Sequence, residues 1–249
     1  SPFHDRLAAQ GAFFRDVSGW DSPAWYAPPG EEPKIERLTW GRQNWFPWWA
    51  AEHAACREGV ILMDMSFMGK FRVQGRDADA FLERLSANRV AESDGRITYT
   101  QWLNEAGTLE ADLTVIRFSE DDFMVVTSDT AHRHTEAWMR RHLEPERFVT
   151  VTDVTSAYGQ LNIQGPRSRD VLQSLTSIDL SNQALPFRCV REIDIGLARV
   201  LCVRITYLGE LGYELYIPAE QAVHVYDALC DAGEQFGLRH AGLRALSSL

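Results

Sequence analysis

Two stretches of this 249-residue chain set carboxylates among apolar strand residues, beside the aromatic and amide side chains that chemistry could use. The first is Tyr99-Thr-Gln-Trp-Leu-Asn-Glu-Ala-Gly-Thr-Leu-Glu-Ala-Asp112-Leu-Thr114-Val. Its Asn-Glu-Ala-Gly centre is turn chemistry and predicts a hairpin. Asp112 interrupts a strand whose neighbours Leu109, Ala111, Leu113 and Val115 are apolar. Two readings fit: a strand carboxylate in solvent, the ordinary fate of such groups, or a partly buried acid with a task. The second stretch is Arg204-Ile-Thr-Tyr207-Leu-Gly-Glu-Leu-Gly-Tyr-Glu214-Leu-Tyr216. Gly209 and Gly212 bracket an acidic turn, and Glu214 re-enters an apolar strand. A tight hairpin with a solvated Glu is one reading. In the other, the glycines let backbone approach a ligand closely. Tyr207 then supplies a ring face, and Glu214 two acceptors for a planar N–H/NH2 array.

Other chemistry finds less footing. The seven histidines show no metal-ligand spacing, and His132 and His134 on one helix point different ways. No G-x-S-x-G, P-loop or G-x-G-x-x-G run occurs. Ser66 has no local base in Asp64-Met-Ser-Phe-Met-Gly-Lys70, which reads as a turn into a strand. Met65 and Met68 there read as core packing or ligand-facing packing. The four cysteines stand far apart without C-x-x-C, which predicts free thiols in a reduced compartment rather than zinc or disulfides.

The elements that position these residues come in two copies. Phe71-Arg-Val-Gln-Gly aligns with Leu161-Asn-Ile-Gln-Gly at an offset of 90, from Gln74 to Gln164. The same offset pairs Leu82 with Leu172, Leu113 with Val203 and Phe123 with Tyr213. It also sets Asp112 against Cys202, Tyr207 against Arg117 and Glu214 against Met124, so the copies diverge where the candidates lie. Each copy predicts a short strand ending in Gln-Gly (70–74; 160–164) and a helix (76–87; 166–176). Three strands follow (97–103, 110–118, 122–128; 188–194, 198–207, 212–217), then a second helix (130–142; 219–235). Val149-Thr-Val-Thr-Asp153 alternates like a closing strand of copy one. Strand–helix–strand–strand–helix–strand is the ferredoxin-like plan, so the fold expected is α+β with tandem ferredoxin-like half-domains. Copy two ends without a counterpart of that closing strand, in a helix-spaced run Leu243-Arg-Ala-Leu-Ser-Ser-Leu249 with no stop signal. That predicts a chain cut from a longer one.

Composition sets the outer limits. Apolar residues are 45% and charged residues 24%, ordinary for a globular protein. A net charge of −10 disfavours nucleic-acid or anionic-membrane partners. No run reaches the roughly 18 apolar residues of a membrane span. Of 25 basic residues only Lys34 and Lys70 are Lys, a bias that suggests a GC-rich bacterial genome and, without a signal peptide, the cytoplasm. Six of the eight Trp and six of the ten Pro precede residue 50. Segment 19–49 is too Pro-rich for a helix or central strand and too aromatic for a solvated tail. The expected division is therefore a Trp/Pro-rich strap over 1–49, a first repeat over 50–155 and a truncated second repeat over 156–249.

With these motifs in view, the chain resembles the glycine cleavage T protein (aminomethyltransferase) superfamily. The resemblance rests on Asp64-Met-Ser-Phe-Met-Gly-Lys70, Gly107…Asp112-Leu-Thr-Val, Ile163-Gln-Gly-Pro166 and Tyr207-Leu-Gly-Glu-Leu-Gly-Tyr-Glu214. Arg15-Asp-Val-Ser-Gly-Trp-Asp-Ser-Pro-Ala-Trp-Tyr26 and Gly41-Arg-Gln-Asn-Trp-Phe46 are similar to the folate-binding C-terminal half of sarcosine and dimethylglycine dehydrogenases. The resemblance implies a tetrahydrofolate site that captures one carbon from an N-methyl amine-derived imine, giving 5,10-methylenetetrahydrofolate. It implies Asp112 as the catalytic acid and Tyr207, Glu214, Thr114, Tyr99 and Met65 as folate contacts. It implies no metal. It further implies an FAD-dependent oxidoreductase domain upstream and a small C-terminal β-barrel domain, neither of which is in this chain.

The chemistry then expected is positional. Holding an electrophilic iminium near two weak nitrogen nucleophiles supplies rate as effective molarity. An ionised Asp112 stabilises the positive charge and moves protons, and partial desolvation strengthens that interaction while raising the acid's pKa. The competing reading is a non-catalytic folate-binding or regulatory module of the same superfamily, a third a structural half-domain docking through the Trp-rich strap.

Overall fold

The computed structural model describes residues 1–28, 31, 36 and 38–249. The strap expected over 19–49 thus lies partly outside the described residues, at 29–30, 32–35 and 37. The chain divides into two compact units. One comprises Ser1–Ser66, Tyr158–Phe187 and Glu192–Leu249, the other Phe67–Ala157 and Arg188–Arg191.

The strap is more regular than its proline content suggests. After helix α1 (His4–Ala9), strands β1 (Ala12–Val17) and β2 (Trp20–Tyr26) form a two-stranded antiparallel sheet of their own. Pro23 fits because the β1–β2 register shifts beside its partner Phe14, and such irregularities tolerate a residue without an N–H. Helix α2 (Phe46–Glu58) begins inside the expected strap with Pro47 in its first turn, where the missing donor costs nothing. Trp25, Trp45 and Ala24 form a small buried cluster, with Phe13, Trp48 and Trp49 packed against it.

The Phe67–Ala157 unit follows the expected plan. Strand β3 (Ile61–Asp64) precedes it; then come β4 (Gly69–Gln74), α3 (Ala78–Leu85), β5 (Ile97–Leu103), β6 (Leu109–Ser119), β7 (Asp122–Thr127), α4 (His132–Arg141) and β8 (Thr150–Asp153). The sheet order is β5-β6-β7-β4-β8, all antiparallel. Without the added edge strand β5 this is the ferredoxin-like order. Phe81, Leu82 and Leu85 of α3 and Trp138 and Met139 of α4 pack on Phe71, Val73, Leu113, Val115 and Val125. The helices therefore cover one face of the sheet, and the alternation of strand side chains assigns Asp112, Thr114 and Ile116 of β6 to the other. Gly75 explains the Gln-Gly ending: its φ is +132°, and a Cβ there would stand 2.1 Å from the Phe148 carbonyl oxygen.

The other unit repeats the pattern with one strand borrowed. Strand β9 (Tyr158–Gln164) leads into α5 (Ser168–Gln173), β10 (Cys189–Ile195), β11 (Ala198–Arg204), β12 (Gly212–Pro218), α6 (Ala222–Gly233), β13 (Arg239–His240) and α7 (Leu243–Leu246). Its sheet runs β10-β11-β12-β9-β3-β13. The place that β8 takes beside β4 is filled here by β3, antiparallel to β9 with Ile61 opposite Gln164. Copy two is therefore closed by residues that precede copy one, and β13 adds only a two-residue parallel edge. Helices α5 and α6 lie on the odd-numbered face of β9 and β12. Arg169 donates to Tyr213 Oη at 2.9 Å, and a Cβ on Gly159 would touch Ala222.

The repeat offset is not uniform. Gln74 pairs with Asp122 and Gln164 with Gly212, so 90 holds for β4/β9 and β7/β12. Ile116 pairs with Met124, whereas Val203 pairs with Glu214, so β11 is displaced by three residues relative to β6. The equivalence of Asp112 with Cys202 is thereby corrected. Cys202 pairs with Leu215 on the helix-covered side, while the true counterpart of Asp112 is Arg199. The longer β11–β12 connection takes up the difference, so Tyr207 has no counterpart at Arg117.

No helix among the described residues is long and apolar enough to cross a membrane.

Candidate functional site

The sequence-derived candidates fall on two sheet surfaces, one in each unit. On the five-stranded sheet, Asp112 lies in the interior of β6, not at its end, and faces away from α3 and α4. Tyr99 stands opposite Thr114, and Gln101 opposite Asp112, so all four side chains share one face. Asp112 is exposed rather than partly buried, and Gln101 Nε2 approaches its Oδ1 at 3.4 Å. Tyr99 is 52% exposed and Thr114 half-buried. On the same strand Glu110 is tied up by Asn104 and by His134 at 2.8 Å, and these partners hold its carboxyl below the usual range. Among the described residues, Asp112 thus stands on this strand as a carboxylate without an arginine or histidine on it.

On the six-stranded sheet, Glu214 sits on the even-numbered face of β12, away from α5 and α6. Tyr216 Oη donates to Glu214 Oε2 at 2.7 Å, and Asn162 Nδ2 donates to Oε1 at 3.4 Å. Gln160 Nε2 in turn donates to Asn162 Oδ1 at 3.4 Å. The register explains the row: Asn162 lies opposite Glu214 and Gln160 opposite Tyr216. Gln160, Asn162 and Tyr216 are all buried, in a sheet whose other face is apolar. Burial and the neighbouring carboxylate push the Tyr216 phenol well above its usual pKa, so it remains a donor. Met65 is buried beside this row, its N–H donating to the Gln160 carbonyl at 2.9 Å.

Tyr207 stands apart from that order, 83% exposed in the β11–β12 connection. Of the two glycines that follow it, Gly209 serves the turn, with φ +79° and open space around it. Gly212 admits not a ligand but the chain itself: a Cβ there would lie 1.8 Å from Gln164 Oε1. Gln164 is fixed in that gap by Thr206 Oγ1 at 2.9 Å. Ser66 is likewise structural, donating to Asp64 Oδ1 at 2.6 Å and accepting from the Gln160 N–H at 3.0 Å. His132 binds Asp153 and His134 binds Glu110, each at a different partner as their spacing implies.

The polar row escaped the reading of residue types. Its signal is nevertheless in Gln160-Leu-Asn162-Ile-Gln164, a strict polar/apolar alternation that marks one polar face of a strand.

The fold and this arrangement can be set against known proteins. Residues 3–249 match the model of the family described as GCVT N-terminal domain. The chain belongs to that family. The GCVT-domain chain is 37% identical over 249 residues to 4-methylaminobutanoate oxidase (formaldehyde-forming) of Paenarthrobacter nicotinovorans, covering all of this chain and 30% of that protein. It is 33% identical over 233 residues to human mitochondrial dimethylglycine dehydrogenase, covering 93% of this chain and 27% of that one. The chain thus spans less than a third of these curated relatives. Its fold matches the glycine cleavage system aminomethyltransferase T of Bartonella henselae at a TM-score of 0.79, with 24% identity, over 98% of this chain and 60% of that one.

Proposed function

We propose that this GCVT-domain chain binds tetrahydrofolate and passes it one carbon from an N-methyl amine-derived imine, yielding 5,10-methylenetetrahydrofolate. The observation that carries the reading is Glu214: an acceptor-only group on a buried polar row, oriented by Tyr216 and Asn162. Its pair of acceptor oxygens fits the guest. A pteridine's aminopyrimidine edge presents adjacent N–H donors, and a carboxylate is the side chain that accepts them with charge assistance. Tyr207, Tyr99, Thr114 and Met65 would add ring-face, hydroxyl and thioether contacts. The family and its dehydrogenase and oxidase relatives support the same reading.

Bound tetrahydrofolate would supply the nucleophilic N5 and N10. The chain's part is to hold and to shift charge. Asp112 is exposed on a sheet face, where an arriving iminium cation can reach it. Its carboxylate would stabilise that cation and accept the proton at N5. Closing water away from Asp112 on binding would strengthen both effects. Oxidation of the amine belongs to an FAD-dependent oxidoreductase partner or domain.

The name of the 37%-identical relative, formaldehyde-forming, favours one rival outcome, release of the carbon as formaldehyde. Calorimetric titration of the chain with tetrahydrofolate tests the reading. Saturable binding is expected, weakened by about 2 kcal/mol in Glu214→Ala, the loss of a buried charged hydrogen bond. No binding by the unmodified chain would favour formaldehyde release instead.

A further inference from the structure

Gln160 is 1% exposed, and its Oε1 is a buried acceptor with no hydrogen-bond donor. Such atoms are rare in folded proteins and ask for an explanation. The polar row explains which way this amide faces. Glu214 can only accept, so Asn162 must turn Nδ2 toward it. Asn162 Oδ1 then faces Gln160, which must answer with Nε2. The remaining atom of the row, Gln160 Oε1, is left as an acceptor whose orientation the Glu214 carboxylate imposes through two amides. A flip of either amide would set like atoms against each other.

We infer that Gln160 Oε1 is a specificity-determining acceptor for a ring N–H that the reduced pteridine carries and the oxidised one lacks. This rests on the tetrahydrofolate reading and goes one step past it. In tetrahydrofolate N5 and N8 bear hydrogens; in folic acid both are bare acceptors. A fixed acceptor rewards the first and meets the second lone pair to lone pair. Sites built around a buried polar group discriminate in this way because a mismatched ligand leaves that group unpaired. Met65, whose N–H donates to the Gln160 carbonyl, and Tyr216, its partner across the sheet, are the neighbours of Gln160 along this row.

The test is the ratio of affinities for tetrahydrofolate and folic acid, measured anaerobically by calorimetry on the full chain. Wild type should prefer the reduced compound. Gln160→Met, close in volume, should lower that preference about tenfold, mainly through weaker tetrahydrofolate binding. A merely structural Gln160 would change both affinities alike and leave the ratio unmoved, which overturns the inference. If the Gln160 variant does not fold, Asn162→Leu decides: it removes the anchor that orients the amide, so the ratio should fall with Gln160 intact, and an unchanged ratio refutes the proposal. A wild-type chain that binds neither compound overturns the tetrahydrofolate reading itself. A wild-type chain that discriminates while the variants discriminate equally overturns only the role of Gln160.

Discussion

The Tyr216 hydroxyl lies 2.7 Å from Glu214 Oε2, two residues away on the same face of β12. A strand brings i and i+2 side by side, so this pair needs no tertiary arrangement to form. Tyr216 is 1% exposed, and its raised pKa keeps the proton in place as a donor to the carboxylate. Removing the hydroxyl should loosen the carboxylate without emptying the core. Tyr216→Phe is expected to cost about 1 kcal/mol of folding stability and to weaken tetrahydrofolate binding by a similar amount. Urea denaturation and calorimetric titration check the two halves; binding that is untouched would separate Glu214's orientation from its function.

A second carboxylate fastens distant segments. Glu52 of α2 accepts the Tyr26 N–H at 2.7 Å and the Gly242 N–H at 2.9 Å, joining β2 to the start of α7. Burial raises its pKa to about 7, although both backbone N–H groups pull it down. A carboxyl raised in the folded state binds more protons folded than unfolded between its two pKa values. Its contribution to stability is therefore largest below the unfolded value of 4.5 and is lost as pH rises through about 7. His240 works in the opposite sense. Burial lowers it to about 4, so it destabilises as pH falls below its unfolded value of 6.5. Glu52→Gln should remove the first slope and leave the second. The change in unfolding free energy between pH 5 and pH 8 should therefore differ between wild type and variant by on the order of 2–3 kcal/mol. Parallel curves would contradict it.

Gly212 makes a steric prediction. Any side chain there would collide with Gln164, whose amide is held by Thr206. Gly212→Ala should destabilise by about 1–3 kcal/mol, as other overpacking changes do. Gly209→Ala tests a different cause, since its space is open and only its φ of +79° resists a Cβ. Thermal melts of the two variants, and of Gly212→Ala combined with Gln164→Ala, separate the causes. The double variant should recover the collision cost only if Gln164 is the obstacle.

Much of the architecture is legible because it depends on local rules. The apolar spacing of Phe81, Leu82 and Leu85 marks the buried face of α3, and the Gln-Gly pairs mark a backbone conformation that only glycine adopts freely. What depends on pairing between distant segments is not legible. Nothing in Ile61–Asp64 says that it closes the sheet of the second copy, because a short apolar run such as Ile61-Leu-Met63 can add to any open edge. The three-residue slip of β11 is hidden for a related reason: a longer hairpin connection shifts register without changing the apolar pattern. Pro47 misleads in the other direction, since a proline in the first turn permits the helix it would break further along. Among the candidate residues, Asp112 and Glu214 stand out as carboxylates in apolar strands. Gln160 does not, because an amide looks neutral until its orphaned oxygen and its place beside Asn162 are seen.

We propose that Asp112 serves one-carbon transfer to tetrahydrofolate. The most direct measurement is the rate at which the chain forms 5,10-methylenetetrahydrofolate from an iminium premixed from formaldehyde and sarcosine, corrected for the uncatalysed reaction. The wild-type chain should accelerate this reaction, and Asp112→Ala should lower the catalysed rate by about 10²-fold, the lower range for a positioned acid–base group. Equal rates for the two proteins would contradict that role of Asp112.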